Sequence, residues 1–212
     1  MYESFEMSLK VLSDSEAKKK LESIEHKLFE ILRVYTRPRK YNVLCHGDFW
    51  INNVLFKRDE NDSTKICILD FQTMRYASPA TDVIYFLYLC TDSQFRSEHL
   101  ETLQNVYHDS LKSFLSLFNI DVNLVYPKDE FVSEINELLP FGLLMALIEL
   151  RIITTTPEDE AILKGANSSS SSGNVEVPGE IDLFNIRVND VVKECVENGT
   201  LDRLIETVQV YV

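Results

Sequence analysis

Apolar residues recur at helical spacing along most of this chain. Leu21, Ile24, Leu28, Ile31 and Leu32 share one face, with lysines and glutamates opposite, which predicts a helix from Asp14 to Tyr35. Ser13, with Glu16 three residues later, forms a capping box at its start, and Arg37-Pro38-Arg39 ends it. Short apolar runs at Asn42 to Cys45, Asn53 to Phe56 and Ile66 to Leu69 are bounded by turn residues and predict strands. The polar turn Lys57 to Lys65 joins the second and third runs into a hairpin. Helical patterning resumes at Thr81, where Val83, Ile84, Phe86, Leu87 and Leu89 describe a largely buried helix. A second helix follows over Glu98 to Leu117, and a third over Phe131 to Ile153, in which Pro140 and Gly142 predict a kink or break. Ser168 to Ser172 and Gly173-Asn174 predict a flexible loop over residues 165–179. Two more helices are expected, Asn189 to Asn198 with Gly199 as its cap, and Thr200 to Val208. No internal repeat is visible. The fold class is α+β, mostly helical, with a few short strands inserted behind the first helix.

Charge narrows the partners. With 21 basic against 34 acidic side chains the formal net charge is −13, which repels nucleic acid and anionic membranes, so neither is an expected partner. The longest apolar stretch, Leu138 to Ile148, falls short of the roughly 20 residues that a membrane span needs. Met1 to Glu6 lacks the charged-then-apolar pattern of a signal peptide, so a soluble, cytoplasmic protein is expected. The four cysteines stand singly, and Cys45 and Cys67 lie within apolar runs, which predicts buried free thiols in a reducing compartment.

The stretch that carries chemistry is His46-Gly47-Asp48-Phe49-Trp50-Ile51-Asn52-Asn53, followed by Ile68-Leu69-Asp70-Phe71-Gln72. Phosphoryl transfer needs a carboxylate near the attacking hydroxyl and oxygen ligands that hold magnesium against nucleotide phosphates. An Asp followed five residues later by an Asn, on a loop entering a hairpin, can turn both side chains into one cleft. An Asp ending the returning strand adds a second carboxylate, and magnesium favours such hard oxygen ligands. Taken singly, His46 reads as a structural histidine, Asp48 and Asn53 as turn residues, and Asp70 as a strand end. Trp50 reads as packing and Asp82 as a helix N-cap. Their joint order from Cys45 to Leu87 is what points to a site.

His46-Gly47-Asp48 and Asn53 resemble the catalytic loop of the choline kinase and aminoglycoside phosphotransferase group, within the protein-kinase-like fold. Trp50, Leu69-Asp70-Phe71-Gln72, Pro79-Ala80-Thr81-Asp82 and Tyr85-Phe86-Leu87 are similar to the pattern of one branch, the ecdysteroid-kinase-like family. Leu69 stands where that pattern commonly has Ile, and Val83 where it often has Leu. The resemblance implies an ATP- and Mg2+-dependent enzyme that phosphorylates an alcohol on a small molecule, such as an ecdysteroid. It implies Asp48 as the catalytic residue that orients or deprotonates the substrate hydroxyl, and Asn53 and Asp70 as metal ligands. His46 would brace the loop, and Asp82 would anchor its backbone. Gln72 and Trp50 fit the pattern without an assigned role.

The resemblance covers the carboxy-terminal lobe of that fold. Only 45 residues precede His46, with no glycine among them and no Val-Ala-x-Lys-like strand, so the phosphate-covering loop and strand lysine are missing. The expectation is one carboxy-terminal lobe over residues 1–212, a truncated form whose amino-terminal lobe is supplied in a longer chain or by another protein. The rival reading is a non-catalytic binding or regulatory module derived from such a kinase. An unrelated metal-dependent hydrolase using Asp48 and Asp70 is weaker, because no additional histidines accompany them. Glu134, Glu137 and Glu149 would suit a cationic substrate if they line the site, although a solvated face is the default. Phe131, Leu138, Leu139, Phe141, Leu143 and Leu144 could wall an apolar pocket, with plain core as the default.

Overall fold

Residues 138–150 are apolar around most of their circumference, so the helix they form must be covered there on nearly all sides. In the computed structural model, which describes residues 1–58, 64–155 and 180–211, helix α7 (Lys128–Thr154) is the central element. Around it lie α1 (Tyr2–Val11), α3 (Leu28–Thr36), α4 (Ala80–Cys90), α5 (Ser93–Ser116), α8 (Glu180–Glu197) and α9 (Thr200–Tyr211). Phe131, Leu138, Phe141, Leu143 and Leu144 are buried core, as the default reading had it, while Leu139 is partly buried. The predicted Ser-rich loop, 165–179, lies outside the described residues.

Of the kink or break expected at Pro140, the break does not occur: α7 runs unbroken through it. A proline removes one helical N–H and leaves the carbonyl four residues earlier, that of Asn136, without its partner. The Arg203 guanidinium, reaching from α9, donates to that oxygen at 2.8 Å and also to Thr200 Oγ1. At Gly142 the backbone of α7 lies directly against side chains of α4. A Cβ there would stand 2.5 Å from the Tyr88 ring and 2.8 Å from Ile84 Cγ2.

The far end of α4 is closed by arginines. The last carbonyls of a helix have no partner within it. Arg187 donates to the oxygens of Leu89 and Thr91, at 3.3 and 2.9 Å. Arg96, only 3% exposed, donates to Leu87 and Thr91 oxygens, lies 4.5 Å over the Tyr88 ring and pairs with Glu194.

Before the strands, the chain departs from expectation. The predicted helix from Asp14 to Tyr35 is two, α2 (Ser15–Glu22) and α3, separated by a tight turn over Glu25–Lys27. Ser23 Oγ donates back to Lys20 O at 2.6 Å, competing for the backbone where the helix stops. The cap is Asp14, whose Oδ1 accepts from the Glu16 and Ala17 amides at 2.9 Å; Ser13 bonds Asn189 on α8 instead. Helix α1 was not anticipated. It buries Phe5 and Leu9, and Ser8 Oγ donates to Leu147 O at 2.7 Å.

Two small antiparallel sheets carry the remaining backbone. Strand β1 (Val43–Cys45) pairs with β4 (Arg75–Ala77), an element the hydropathy pattern did not announce. Strands β2 (Val54–Arg58) and β3 (Thr64–Ile68) form the predicted hairpin, with Val54 opposite Ile68. The hairpin projects from the helical body, so Leu55, Phe56 and Ile66 are more than half exposed. Cys67 is therefore exposed rather than buried, whereas Cys45 and Cys195 are buried free thiols. Helices α5 and α8 begin earlier than predicted, α9 ends later, and Gly199 (φ +74°) turns the chain between α8 and α9. A short helix, α6 (Val122–Val125), precedes α7. Among the described residues no helix is long and apolar enough to cross a membrane.

Gly142→Ala should lower stability by about 1–3 kcal/mol, because the added methyl group collides with Tyr88 and Ile84. A reduced urea midpoint would show this; an unchanged or raised midpoint would mean that the helix-propensity gain of alanine outweighs the collision.

Candidate active site

Backbone groups removed from water need partners, and the loop His46-Gly47-Asp48 satisfies all of its own. The amides of His46 and Gly47 donate to the two carboxylate oxygens of Asp82, at 2.6 and 3.0 Å. The Asp48 amide donates to His46 Nδ1 at 3.3 Å. The three carbonyls accept, in order, from Thr73 Oγ1 at 3.2 Å, Arg75 Nη1 at 3.0 Å and Asn53 Nδ2 at 2.8 Å. Gly47 is dictated by this arrangement. Its φ is +87°, and a Cβ would stand 2.2 Å from the Thr73 carbonyl oxygen.

His46 is buried, and its ring nitrogens divide their work. Because Nδ1 accepts from the Asp48 amide, the proton sits on Nε2, which donates to Leu69 O at 2.8 Å. The ring thereby ties the loop to the end of the strand that delivers Asp70, and it lies 4.8 Å from Phe71. Asp82 lies in the first turn of α4 and does not cap that helix; Pro79 occupies the N-cap position. Trp50 is partly buried against the core, and Phe49 packs its ring 5.2 Å from Phe86 of α4.

The Asp48 carboxylate is held on both oxygens. Oδ1 accepts from the Tyr85 hydroxyl at 2.8 Å, and Oδ2 from Asn53 Nδ2 at 3.1 Å. With Nδ2 used in this way, the Asn53 amide leaves its oxygen as the group available to a cation. Hairpin register brings Asp70 to the same end: Val54 lies opposite Ile68, and the Leu69 amide donates to Asn53 O at 2.8 Å. Asp70 is exposed and left-handed (φ 61°, ψ 66°), a conformation that Asp tolerates better than most residues. Gln72 Nε2 donates to Asp70 Oδ2 at 3.2 Å, which gives the unassigned glutamine a place beside that carboxylate.

The three glutamates raised by the sequence separate. Glu134 is buried and accepts from Ser78 Oγ and Tyr126 Oη; Glu137 pairs with Arg39. Glu149 is half-buried on α7, and burial, with the Asp48 charge second, pushes its carboxyl above the ordinary range. Tyr85, Thr73 and Arg75 are the contributors that sequence reasoning left without a part. For Tyr85 a signal existed: it stands three residues after Asp82 and so on the same face of α4.

Asp82→Ala should remove two charge-assisted bonds and cost about 3 kcal/mol, read by urea denaturation. Hydrogen exchange at the His46 and Gly47 amides should quicken selectively; uniform change across the chain would contradict the anchoring. For Glu149 the sign is the reverse of a salt-bridged carboxylate. The folded chain holds its proton more tightly than the unfolded chain, so this group adds stability as pH falls into the carboxylate range. Glu149→Gln should raise the melting temperature at neutral pH and weaken that dependence; an unchanged melting curve would contradict it.

No curated protein and no solved structure matches the chain. The sequence model of the Ecdysteroid kinase-like family matches residues 1–120, a span that holds the loop, the hairpin and α4. With 120 of its 212 residues matched, including every residue bonded to Asp48, the chain belongs to the Ecdysteroid kinase-like family.

Proposed function

We propose that this chain carries the catalytic and metal-binding half of a phosphotransferase that moves the γ-phosphoryl group of ATP onto a small-molecule alcohol. The observation that carries the reading is the meeting of Asp48, Asn53 and Asp70 at one end of the hairpin, with the loop backbone fully paired behind them. Asp48 accepts the hydroxyl proton as the alcohol oxygen bonds to phosphorus and the bond to the ADP oxygen breaks. His46 and Asp82 serve as loop supports.

The donor set fits magnesium. Among the described residues no three His, Cys, Asp or Glu side chains gather into a cage, and magnesium asks for none: it takes one or two carboxylates and completes its shell with water and phosphate. The Asn53 oxygen and the Asp70 carboxylate would hold it. When bound, the cation neutralises charge on the transferring phosphates.

Exposed apolar residues support the expectation of a second lobe. Val43, Leu44, Leu55, Phe56, Ile66 and Tyr76 are exposed on the strands that flank the loop, more apolar surface than solvent-facing strands usually carry together. A nucleotide-clamping lobe, in a longer chain or from another protein, would cover them. The acceptor is a small hydroxylated molecule, with an ecdysteroid as the first candidate from the family's name.

Calorimetry with Mg-ATP on the 212-residue chain tests the site directly. Binding is expected, with at least a tenfold loss in Asp70→Ala; equal binding in that variant would remove Asp70 from the site. In a two-lobed form, Asp48→Asn should lower phosphoryl transfer by about 10²–10⁴-fold with the fold intact, and retained transfer would remove Asp48 from its role.

A further inference from the structure

One turn of α4 presents two side chains to the catalytic loop. Asp82 grips the backbone of His46 and Gly47, and Tyr85 bonds the side chain of the next residue, Asp48. Spacing of three places both on one helical face, so loop backbone and carboxylate are located from the same rigid object. Tyr85 is only 5% exposed, and its ring has no room to follow a wandering partner. The surrounding helix is fixed at its far end by Arg96 and Arg187 and along its length by the close approach to Gly142.

The two oxygens of Asp48 are held unequally. The phenol bond to Oδ1 is short and reaches that oxygen alone. The Asn53 amide divides itself between Asp48 O, at 2.8 Å, and Oδ2, at 3.1 Å. Oδ2 is thus the less committed oxygen. Burial, and then the bond to Asp48, keep the phenol protonated far above neutral pH, so Tyr85 is a donor under all working conditions.

We propose that Tyr85 is a positioning residue for the phosphoryl-transfer step: its hydroxyl occupies Oδ1 of Asp48, fixes the carboxylate plane and leaves Oδ2 to receive the proton of the acceptor hydroxyl. This rests on the reading of Asp48 as the base. It assigns Tyr85 a part that the motif alone leaves open, because Phe would fill the same space without donating.

The test compares Tyr85→Phe with the parent chain. Mg-ATP hydrolysis by a two-lobed form, in which water replaces the unidentified alcohol, should fall about tenfold or more in kcat, while KM for ATP stays within about twofold, as expected when geometry and not binding is lost. Equal kcat, or a loss confined to KM, would overturn the role. A double-mutant cycle with Asp48→Ala, which leaves the Tyr85 hydroxyl no acceptor at that side chain, is read by urea denaturation and separates this from failure of the kinase reading, since it needs no turnover. The two substitutions should be clearly non-additive; additive shifts would show that Tyr85 does not hold Asp48. A two-lobed form that hydrolyses no ATP would count against the phosphotransferase reading, and the cycle alone would then decide whether Tyr85 positions the carboxylate.

Discussion

Both oxygens of the Asp82 carboxylate accept from consecutive backbone amides, and the rest of the site follows from that grip. Two successive N–H groups converge on one side chain only if the chain turns sharply between them, which sets the positive φ of Gly47. The same turn sends the His46 and Gly47 carbonyls the other way, toward Thr73 and Arg75. Those residues follow Asp70 closely, so satisfying the loop draws the second carboxylate-bearing segment against it. His46 completes the closure through Leu69 O. Hydrogen-bond accounting, more than apolar packing, fixes this region.

That accounting would be worth little if α4 could shift. Its amino-terminal turn holds the loop, and its carboxy-terminal carbonyls are taken by Arg96 and Arg187. Its flank meets α7 where glycine permits contact. Helix α7 in turn relies on Arg203 to replace the hydrogen bond that Pro140 cannot make. Three guanidinium groups thus satisfy open helix carbonyls at two places, each reaching across from another element. Planar multi-donor groups suit this work, because one side chain can serve several oxygens at once.

The parts of this arrangement that are local in sequence were legible there. The hairpin, α4, α7 and the paired helices at the end of the chain follow from periodicity and punctuation, and the gathering of Asp48, Asn53 and Asp70 follows from their spacing around one hairpin. What escaped was set by partners distant in sequence. The Arg75-Tyr76-Ala77 strand has no apolar run and exists because β1 pairs with it. Pro140 reads as a kink or break, and nothing local tells that Arg203, 67 positions on, faces Asn136. Ser13 and Asp14 are both capping residues, and the choice turned on Asn189 engaging the serine. Cys67 lies in an apolar run whose sheet has no core beneath it. The direction of a side chain is likewise absent from a motif, which is why Tyr85 and Gln72 matched a pattern before either had a physical part.

The hairpin differs from everything around it in how little the folded state depends on it. Its middle residues lie open to water on both faces, so exchanging them alters few buried contacts. The loop residues allow no such freedom, since each is bonded to a specific neighbour. Evolutionary change is thereby partitioned. The exposed strand surface can be rewritten by single substitutions without unfolding intermediates, while the loop stays locked to α4. A lineage built on this plan can diversify its exposed strands and keep the geometry around Asp48.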